Sequence, residues 1–409
     1  MRTRRNYGCL VACLLATAPA WATDGVEPIG VSMQANARGG ADVAVGDSAL
    51  SQVENPASLA FLKQRLDFGL QAAFPTATWR GPLETEESHT KLFLLPNFGI
   101  SMPLEDRWAV GLAFHSRAGL GTSYRMRHLF IPFMDRDVGG DMKCVDLEFN
   151  AAYRVNDQLA LGAGLRLDVS HADFSTVLGP ADVEFGRGRA IGGGFQIGAM
   201  YKPRDDLTFG LAYRSPTWAT DLEGGVAKAT ILGVVPIPLG EASIVDFSLP
   251  QRIAFGAAWD VTPKLKLVGE VRWLNYSTSV MNNVKVRTNG LVNLGLDLPL
   301  GYRDQWAFMT GLEYRFKEHW VWSAGYHWAT APVPSENMLP MGATIPQHNI
   351  TTGIRYERDN WWIGVGYIMA LPTKLGGQGR SRIPLGIDYS FSEIEQSHHA
   401  IGIGFGFEW

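Results

Sequence analysis

Two apolar stretches beside a basic cluster are the residues whose types and spacing best suit ligand binding. Arg125, Arg127 and His128 offer several N–H donors that can hold a carboxylate by charge-assisted hydrogen bonds. The apolar residues fall within segments 125–143 and 226–244: Leu129, Phe130, Ile131, Phe133, Ile231, Leu232, Val234, Val235 and Ile237. Because exposed connections are normally polar, both segments predict capture of a hydrophobic ligand. Two alternatives stay open: the cations could contact phosphates, and the apolar residues could pack together as a cap.

Enzyme chemistry and metal binding have little support in the sequence. Histidines in the strand pattern described below lack the neighbours of a nucleophile motif: His115, His171, His327, His398 and His399. Cys144 is the only cysteine outside the N-terminal signal, so it has no partner for a disulfide or a cysteine-based metal site. We therefore expect no catalytic residue, no cofactor and no metal.

The N-terminus has the three parts of a secretory signal peptide. Arg2, Arg4 and Arg5 precede an apolar run over residues 10–18, and Ala20-Trp21-Ala22 supplies a cleavage site of small residues. We predict a signal peptide over residues 1–22. The net charge of −4 gives no basic surface, so we expect no nucleic-acid partner.

Most of the remaining sequence alternates large apolar residues with small or polar ones, as membrane-spanning β-strands do. In the final segment, 401–409, large apolar residues occupy the odd positions. After the signal, no stretch offers the roughly 18 consecutive apolar residues of a membrane helix. The pattern predicts fourteen strands, near residues 65–77, 90–104, 107–122, 143–155, 158–176, 185–203, 206–222, 246–261, 264–279, 303–316, 319–330, 347–358, 360–371 and 397–409.

The connections between these strands alternate in length. Short ones fall at residues 105–106, 155–157, 203–205, 262–263, 317–318 and 358–359. Short periplasmic turns and long outer loops are typical of outer-membrane barrels, and an even strand number places both ends of the wall on one side. We therefore predict an all-β transmembrane barrel of about 14 antiparallel strands over residues 64–409, in the outer membrane of a Gram-negative bacterium. The terminal aromatic, Trp409, resembles the signal read by the barrel-assembly machinery, an expected partner.

The segment before the first strand does not alternate. Residues 23–63 are rich in small residues and contain the run from Ala37 to Asp47 and the tripeptide Asn55-Pro56-Ala57. A barrel of this size encloses more volume than its own side chains fill. We predict that this segment is a hatch that plugs the lumen.

Together these features resemble the FadL/TodX-type outer-membrane transporters of long-chain fatty acids and hydrophobic hydrocarbons. The glycine-alanine run with Asp42 and Asp47, the tripeptide ahead of strand one, the strand count and the terminal aromatic carry the resemblance over the full mature length. The position of the tripeptide is its most specific part.

The resemblance implies a route for hydrophobic ligands from apolar outer loops, through a pocket in the barrel, to a lateral opening at a kink in strand three. The tripeptide Asn55, Pro56 and Ala57 is expected to lie against that kink. The alternation breaks where the kink is expected, at Phe114, His115, Arg117, Gly119 and Gly121, and glycine suits a bulge in a strand. The implied function is passive uptake, with fatty acids first and aromatic hydrocarbons second.

Two other functions remain as alternatives for a barrel of this kind. A barrel-embedded lipid hydrolase would need a serine and histidine in a recognisable arrangement, and a general porin would be expected to lack a plug. We also expect a monomer that contacts outer-membrane lipid, lipopolysaccharide and a hydrophobic ligand, with lipopolysaccharide phosphates as the alternative partner of the basic cluster.

Overall fold

A computed structural model describes residues 24–290 and 293–409 as one barrel with a plugged lumen. The predicted signal peptide over residues 1–22 lies outside the described residues. The wall consists of fourteen strands, β1 to β14: Arg65–Arg80, Phe93–Pro103, Trp108–His128, Ile131–Arg154, Leu159–Leu178, Ala181–Arg204, Leu207–Arg214, Arg252–Thr262, Leu265–Leu274, Gln305–Lys317, Trp320–Ala329, His348–Arg358, Trp361–Gly376 and Glu393–Glu408.

Each wall strand pairs antiparallel with the next, and the last returns to the first. Arg65 of β1 lies opposite Glu408 of β14, and the two side chains form an ion pair of 3.0 Å. Closure satisfies backbone groups that the membrane could not solvate. The predicted barrel, its strand number and the six short turns are confirmed.

The alternation of the sequence becomes the two faces of the wall. In β14, Ile401, Ile403 and Phe405 are exposed on the outer face, while the glycines between them are buried toward the lumen. In β5, Leu165 is exposed and its neighbour Arg166 is buried. An apolar outer band with a polar interior is the pattern of a lipid-facing barrel.

The two segments predicted as apolar loops are mostly β-structure, which corrects the sequence-based expectation. Strand β3 continues to His128 and β4 begins at Ile131, so they form one tall hairpin. A second hairpin joins Leu222–Ile231 to Val235–Val245. The shorter strands are Thr85–Glu87, Thr217–Ala219, Ser248–Leu249, Val284–Asn289 and Gly295–Leu298. Backbone pairing thus continues above the membrane, where no lipid enforces an apolar face.

The N-terminal segment folds inside the lumen as short helical turns. Helix α1 spans Met33–Ala37, and 3-10 helices span Ala49–Val53 and Pro56–Phe61. Each begins after a capping side chain, Ser32, Ser48 and Asn55 in turn, which accepts a hydrogen bond from a backbone N–H of the first turn. We call residues 24–62 the hatch. Among the described residues, no helix combines the length and the apolar character needed to span a membrane.

An outer segment between β11 and β12 folds back into the barrel mouth. Residues 338–346 are all buried. Thr122 of β3 donates a hydrogen bond to the carbonyl of Pro340 at 3.2 Å, and the Tyr302 hydroxyl donates to the carbonyl of Gly342 at 3.0 Å. This inward segment closes the lumen from the side opposite the short turns. A last short helix, α2, spans Ile387–Ser390 in the connection before β14.

Candidate functional site

Exposed apolar side chains crowd the outer tips of the tall hairpins. Phe133 at the β3–β4 tip is 94 % exposed and Val234 in the second hairpin is 67 % exposed. The two tips are in contact, since Gly233 lies against the side chain of Arg136. We call this surface the apolar tip; its exposed hairpin members are Leu129, Phe130, Phe133, Met134, Leu232, Val234, Val235 and Ile237.

Sequence reasoning missed a third contributor to this surface. Leu385, Ile387 and Phe391, around α2, are each more than half exposed. Their segment is anchored to the first hairpin, because the N–H of Leu129 donates to Asp388 at 3.3 Å. In the sequence, these three residues stand out only as apolar side chains at alternate positions of a long connection. The structure shows that they lie beside the tips of the two hairpins.

Two residues predicted to meet a ligand are buried, which corrects their assignment. His128 is fully buried, with its Nε2 3.1 Å from Asp388 Oδ2. Ile131 packs in the core. Ile231 is half-buried, whereas Arg125 and Arg127 are exposed and lie 3.5 and 3.3 Å from Asp135. Only the two arginines remain available to a head group.

Burial of the Asp388 carboxyl raises its pKa to about 6. Desolvation disfavours the charged form, and the hydrogen bond from Leu129 offsets part of this effect. The anchor of the α2 segment is therefore sensitive to mildly acidic pH.

Strand β3 leaves its neighbour β2 halfway up the wall. The β2–β3 pairing ends at Phe98 and Phe114, although both strands continue. The β3–β4 pairing has a bulge between Ser116 and Ala118, where Arg117 is the extra residue. Residues 115–122 are all buried, unlike an alternating wall strand. A gap in the sheet therefore separates residues 93–97 from residues 115–122.

The bent part of β3 is attached to the hatch. Arg117 forms a buried ion pair with Glu27, and the N–H of Gly119 donates to the carbonyl of Val26 at 2.8 Å. Above the gap, the N–H of His89 donates to the carbonyl of Ser123 at 2.7 Å. At the bend, the hatch thus contacts the edge of β3 that pairs with β2 lower in the wall.

The tripeptide of the hatch does not touch this bend, which corrects a sequence-based expectation. The side-chain amide of Asn55 donates to the carbonyl of Ala199 in β6 at 3.0 Å. Pro56 and Ala57 pack against Gly162 of β5. The residues against the bend are instead those near Val26, which have no comparable sequence motif.

Two recesses meet at the bend. An apolar pocket of about 60 Å³ inside the barrel is lined by Leu120, Phe174, Phe247, Val280 and Met341, among others. A recess of about 670 Å³ is lined by Phe93 from one edge of the gap and Gly121 from the other. Both recesses are lined by Gly140, Asp141, Asp173 and Phe174, so only this short stretch of wall separates them.

Buried ion pairs fasten the hatch to the wall at several points. Arg38 lies 2.8 Å from Glu313 of β10. Arg272 of β9 lies 2.9 Å from Asp24. Arg252 of β8 lies 2.8 Å from Glu54. Buried pairs of this kind fix geometry, and breaking one leaves an uncompensated charge.

One cluster in this network has the geometry of a metal site. The ligand atoms of His115, Asp146 and Glu148 lie within 4.8 Å of one another. However, Asp146 is 3.1 Å from Arg166 and Glu148 is 2.7 Å from Arg214. A cation there would face these guanidinium groups, so the residues fit an ion-pair network better than a metal centre.

A closed barrel with a plugged lumen and an apolar outer surface defines a class, the plugged outer-membrane transport barrels. The family model described as outer membrane protein transport protein (OMPP1/FadL/TodX) matches residues 13–368. The chain belongs to this family, which confirms the resemblance and the outer-membrane location. Named members of the family are transporters and channels, so the chain belongs to a family of transport proteins.

Named relatives are distant. The long-chain fatty acid transport protein of Salmonella typhi is 19 % identical over 305 residues, covering 66 % of this chain and 65 % of the relative. Outer membrane protein P1 of Haemophilus influenzae is 22 % identical over 311 residues, covering 64 % of this chain and 65 % of the relative. The match thus spans less than two thirds of these relatives.

Solved structures share the whole fold. The toluene transporter TodX of P. putida aligns with a TM-score of 0.80 at 17 % identity, covering 95 % of this chain and 99 % of that one. The toluene transporter TbuX of Ralstonia pickettii gives 0.77 at 21 %, covering 95 % and 100 %. A FadL homologue of Pseudomonas aeruginosa gives 0.75 at 16 %, covering 94 % and 99 %. At such low sequence identities, the structural similarity establishes a common fold alone.

Proposed function

We propose that this protein takes up hydrophobic compounds passively across the outer membrane. The observation that carries the proposal is the β2–β3 gap beside an apolar internal pocket. On this route a ligand binds at the apolar tip, enters the pocket beside Leu120, and leaves through the gap into the membrane. Apolar contacts along the way suit such molecules, because exposing them to water costs about 25 cal/mol per Å².

The pocket favours small uncharged hydrocarbons as the first substrate class, in contrast to the order expected from the sequence. Among the described residues that line it, Asp141 and Asp173 are the charged ones, and they pair with Lys143 and Arg187 outside the lining at 2.9 and 3.6 Å. The lining therefore presents no cation to a carboxylate. Its volume of about 60 Å³ is below the roughly 150 Å³ of a cavity known to bind benzene. The pocket must expand for any ligand, and one aromatic ring requires the smaller expansion.

Long-chain fatty acids are the second candidate. Arg125 and Arg127 are exposed beside the apolar tip, where they can pair with a carboxylate. The named relatives that are fatty acid transport proteins support the same class.

Uptake by cells that lack the gene and any homologue tests the proposal. Complementation with the wild type should restore uptake of radiolabelled toluene and, more weakly, of oleate. Gly119→Leu and Gly121→Leu should lower toluene uptake about tenfold by filling the bend. Gly402→Leu is the control, because no atom lies within 4 Å of a Cβ built there.

Heat-modifiable electrophoretic mobility would show that each variant forms a barrel. If Arg125→Gln combined with Arg127→Gln lowers oleate uptake and spares toluene, fatty acids use the basic cluster. Unchanged toluene and oleate uptake in the deletion strain would overturn the proposed function.

A further inference from the structure

A trough runs across the lipid-facing side of the wall below the gap. At one height, Val110 of β3, Ala151 of β4 and Ala163 of β5 lie side by side as cross-strand partners. The next row toward the gap is large, with Phe149 opposite Leu165. We call the row of small residues the wall trough.

The wall trough is a real concavity on a surface that is normally convex. It has a volume of about 740 Å³, and Met102 and Ile197 close its two ends. It crosses five strands, about 19 Å at the usual strand spacing of roughly 4.8 Å. An apolar trough on the membrane face of a barrel contacts hydrocarbon, so an acyl chain is the partner that fits it.

The side of the trough nearest the short turns carries polar groups suited to a lipid head. Trp108 and Tyr153 pack against each other at a tilt of 47°, with their ring centres 4.8 Å apart. Aromatic residues of this kind are enriched at membrane interfaces. The exposed Arg107 donates from Nη1 to the Tyr153 hydroxyl at 3.5 Å. Asp106 and Asp157 are near enough to interact electrostatically with Arg107.

This combination of charges selects a head group. A guanidinium attracts a phosphate, and the two neighbouring carboxylates attract a cation. A head group with a phosphate and an ammonium satisfies both, whereas a purely anionic one would meet the carboxylates unfavourably. The short turns of such barrels face the periplasm, so the lipid belongs to the periplasmic leaflet.

We propose that the wall trough binds one phospholipid with an ammonium-bearing head group, such as a phosphatidylethanolamine. Its acyl chain lies over Val110, Ala151 and Ala163, and its phosphate contacts Arg107 beside the Trp108–Tyr153 pair. The trough begins close to the gap, because Ile100 and Leu112, two residues below the last β2–β3 pair, are among its lining residues. The bound chain therefore covers the wall just below the gap. This inference does not depend on the proposed transport.

Native mass spectrometry of the purified full chain in detergent tests the site. The protein is titrated with phosphatidylethanolamine and, separately, with phosphatidylglycerol of the same acyl chains. Ala163→Trp fills the trough, and Arg107→Gln removes the phosphate contact. Ala324→Trp is the matched control, since Ala324 faces lipid on β11, six strands away from Ala163.

We expect the wild type and Ala324→Trp to retain one phosphatidylethanolamine at least about fivefold more tightly than phosphatidylglycerol. Ala163→Trp and Arg107→Gln should each weaken that binding at least about fivefold while keeping heat-modifiable mobility. Equal binding of the two lipids by the wild type would overturn the proposal. Equal retention by Ala163→Trp and Ala324→Trp would also overturn it.

Discussion

Inward-facing glycines decide where the hatch approaches the wall. A Cβ at Gly162 would overlap the backbone of Ala57, and one at Gly210 would overlap the carbonyl of Val43. The alternation of the sequence predicts glycine on this face. It does not show which glycines receive the hatch, because each contact joins residues far apart in the chain.

Replacing Gly162 by valine should therefore loosen the seat of the hatch. Overpacking of a tight interior typically costs about 1–3 kcal/mol, and we expect that loss in the free energy of unfolding. Guanidinium unfolding in phospholipid vesicles, followed by β-sheet circular dichroism, measures it. Gly402→Val, with open space around its Cβ, should change by less than about 1 kcal/mol. Equal losses in both variants would contradict this account.

The anchor at Asp388 should make the α2 segment respond to pH. The pKa of this carboxyl is about 6 in the folded loop, above its ordinary value of 3.8, so the folded loop binds more protons than the unfolded one. Its contribution to stability is therefore full below about pH 4 and falls as the pH rises to about 6.

The neighbouring His128 acts in the opposite direction, because burial lowers its pKa to about 4. The contribution of Asp388 is therefore the difference between the wild type and Asp388→Asn. In hydrogen exchange of residues 377–392, the protection of the wild type relative to this variant should be higher at pH 4 than at pH 7. A difference that does not change with pH would contradict this account.

At the scale of elements, sequence patterns predict the strands within the membrane better than their continuation above it. Lipid on one side and lumen on the other enforce the alternation in β5 and β14. Above the membrane, Phe133 and Asp137 share an exposed face, so apolar and polar residues no longer separate by side. The pairing of β3 with β4 there depends on the partner strand, which no local pattern reveals.

The bend of β3 should depend on its ion pair with the hatch. Arg117→Met would leave the buried Glu27 carboxylate with only the more distant Arg252, at 3.6 Å, and breaking a buried pair costs about 3–5 kcal/mol. We expect amide exchange in residues 115–122 to accelerate at least about tenfold. Arg127→Met, which removes exposed pairs worth less than about 1 kcal/mol, is the control. Unchanged exchange at the bend would show that backbone contacts alone hold it.

For the whole molecule, the class of fold follows from the sequence because a membrane permits few solutions. Every backbone group of a spanning strand must be paired, so alternating segments with an even count predict a closed barrel. The segment without alternation predicted a hatch, yet the seat of its tripeptide on Gly162 and the separate contact of Val26 with β3 came only from the structure. Long-range contacts of small residues leave little trace in a single sequence.

The hatch should keep the barrel closed to water-soluble molecules. In proteoliposome swelling, the wild type should admit small sugars far more slowly than an open porin. Replacing Arg38 and Arg272 together by methionine removes the guanidinium partners of the buried Asp42 and Glu270, so sugar influx should rise several-fold. Rapid influx through the wild type would instead identify a general porin.

The height of the hairpins has a consequence for the environment of the barrel. Strands β4 and β6 are each 24 residues long, about 79 Å at roughly 3.3 Å per residue, whereas about 9–11 residues cross a bilayer. More than half of each strand therefore stands outside the hydrocarbon. On the proposed route, a hydrophobic ligand contacts the hairpin tips at the level of the outer saccharide chains. It therefore need not dissolve in that hydrated layer on its way to the lipid.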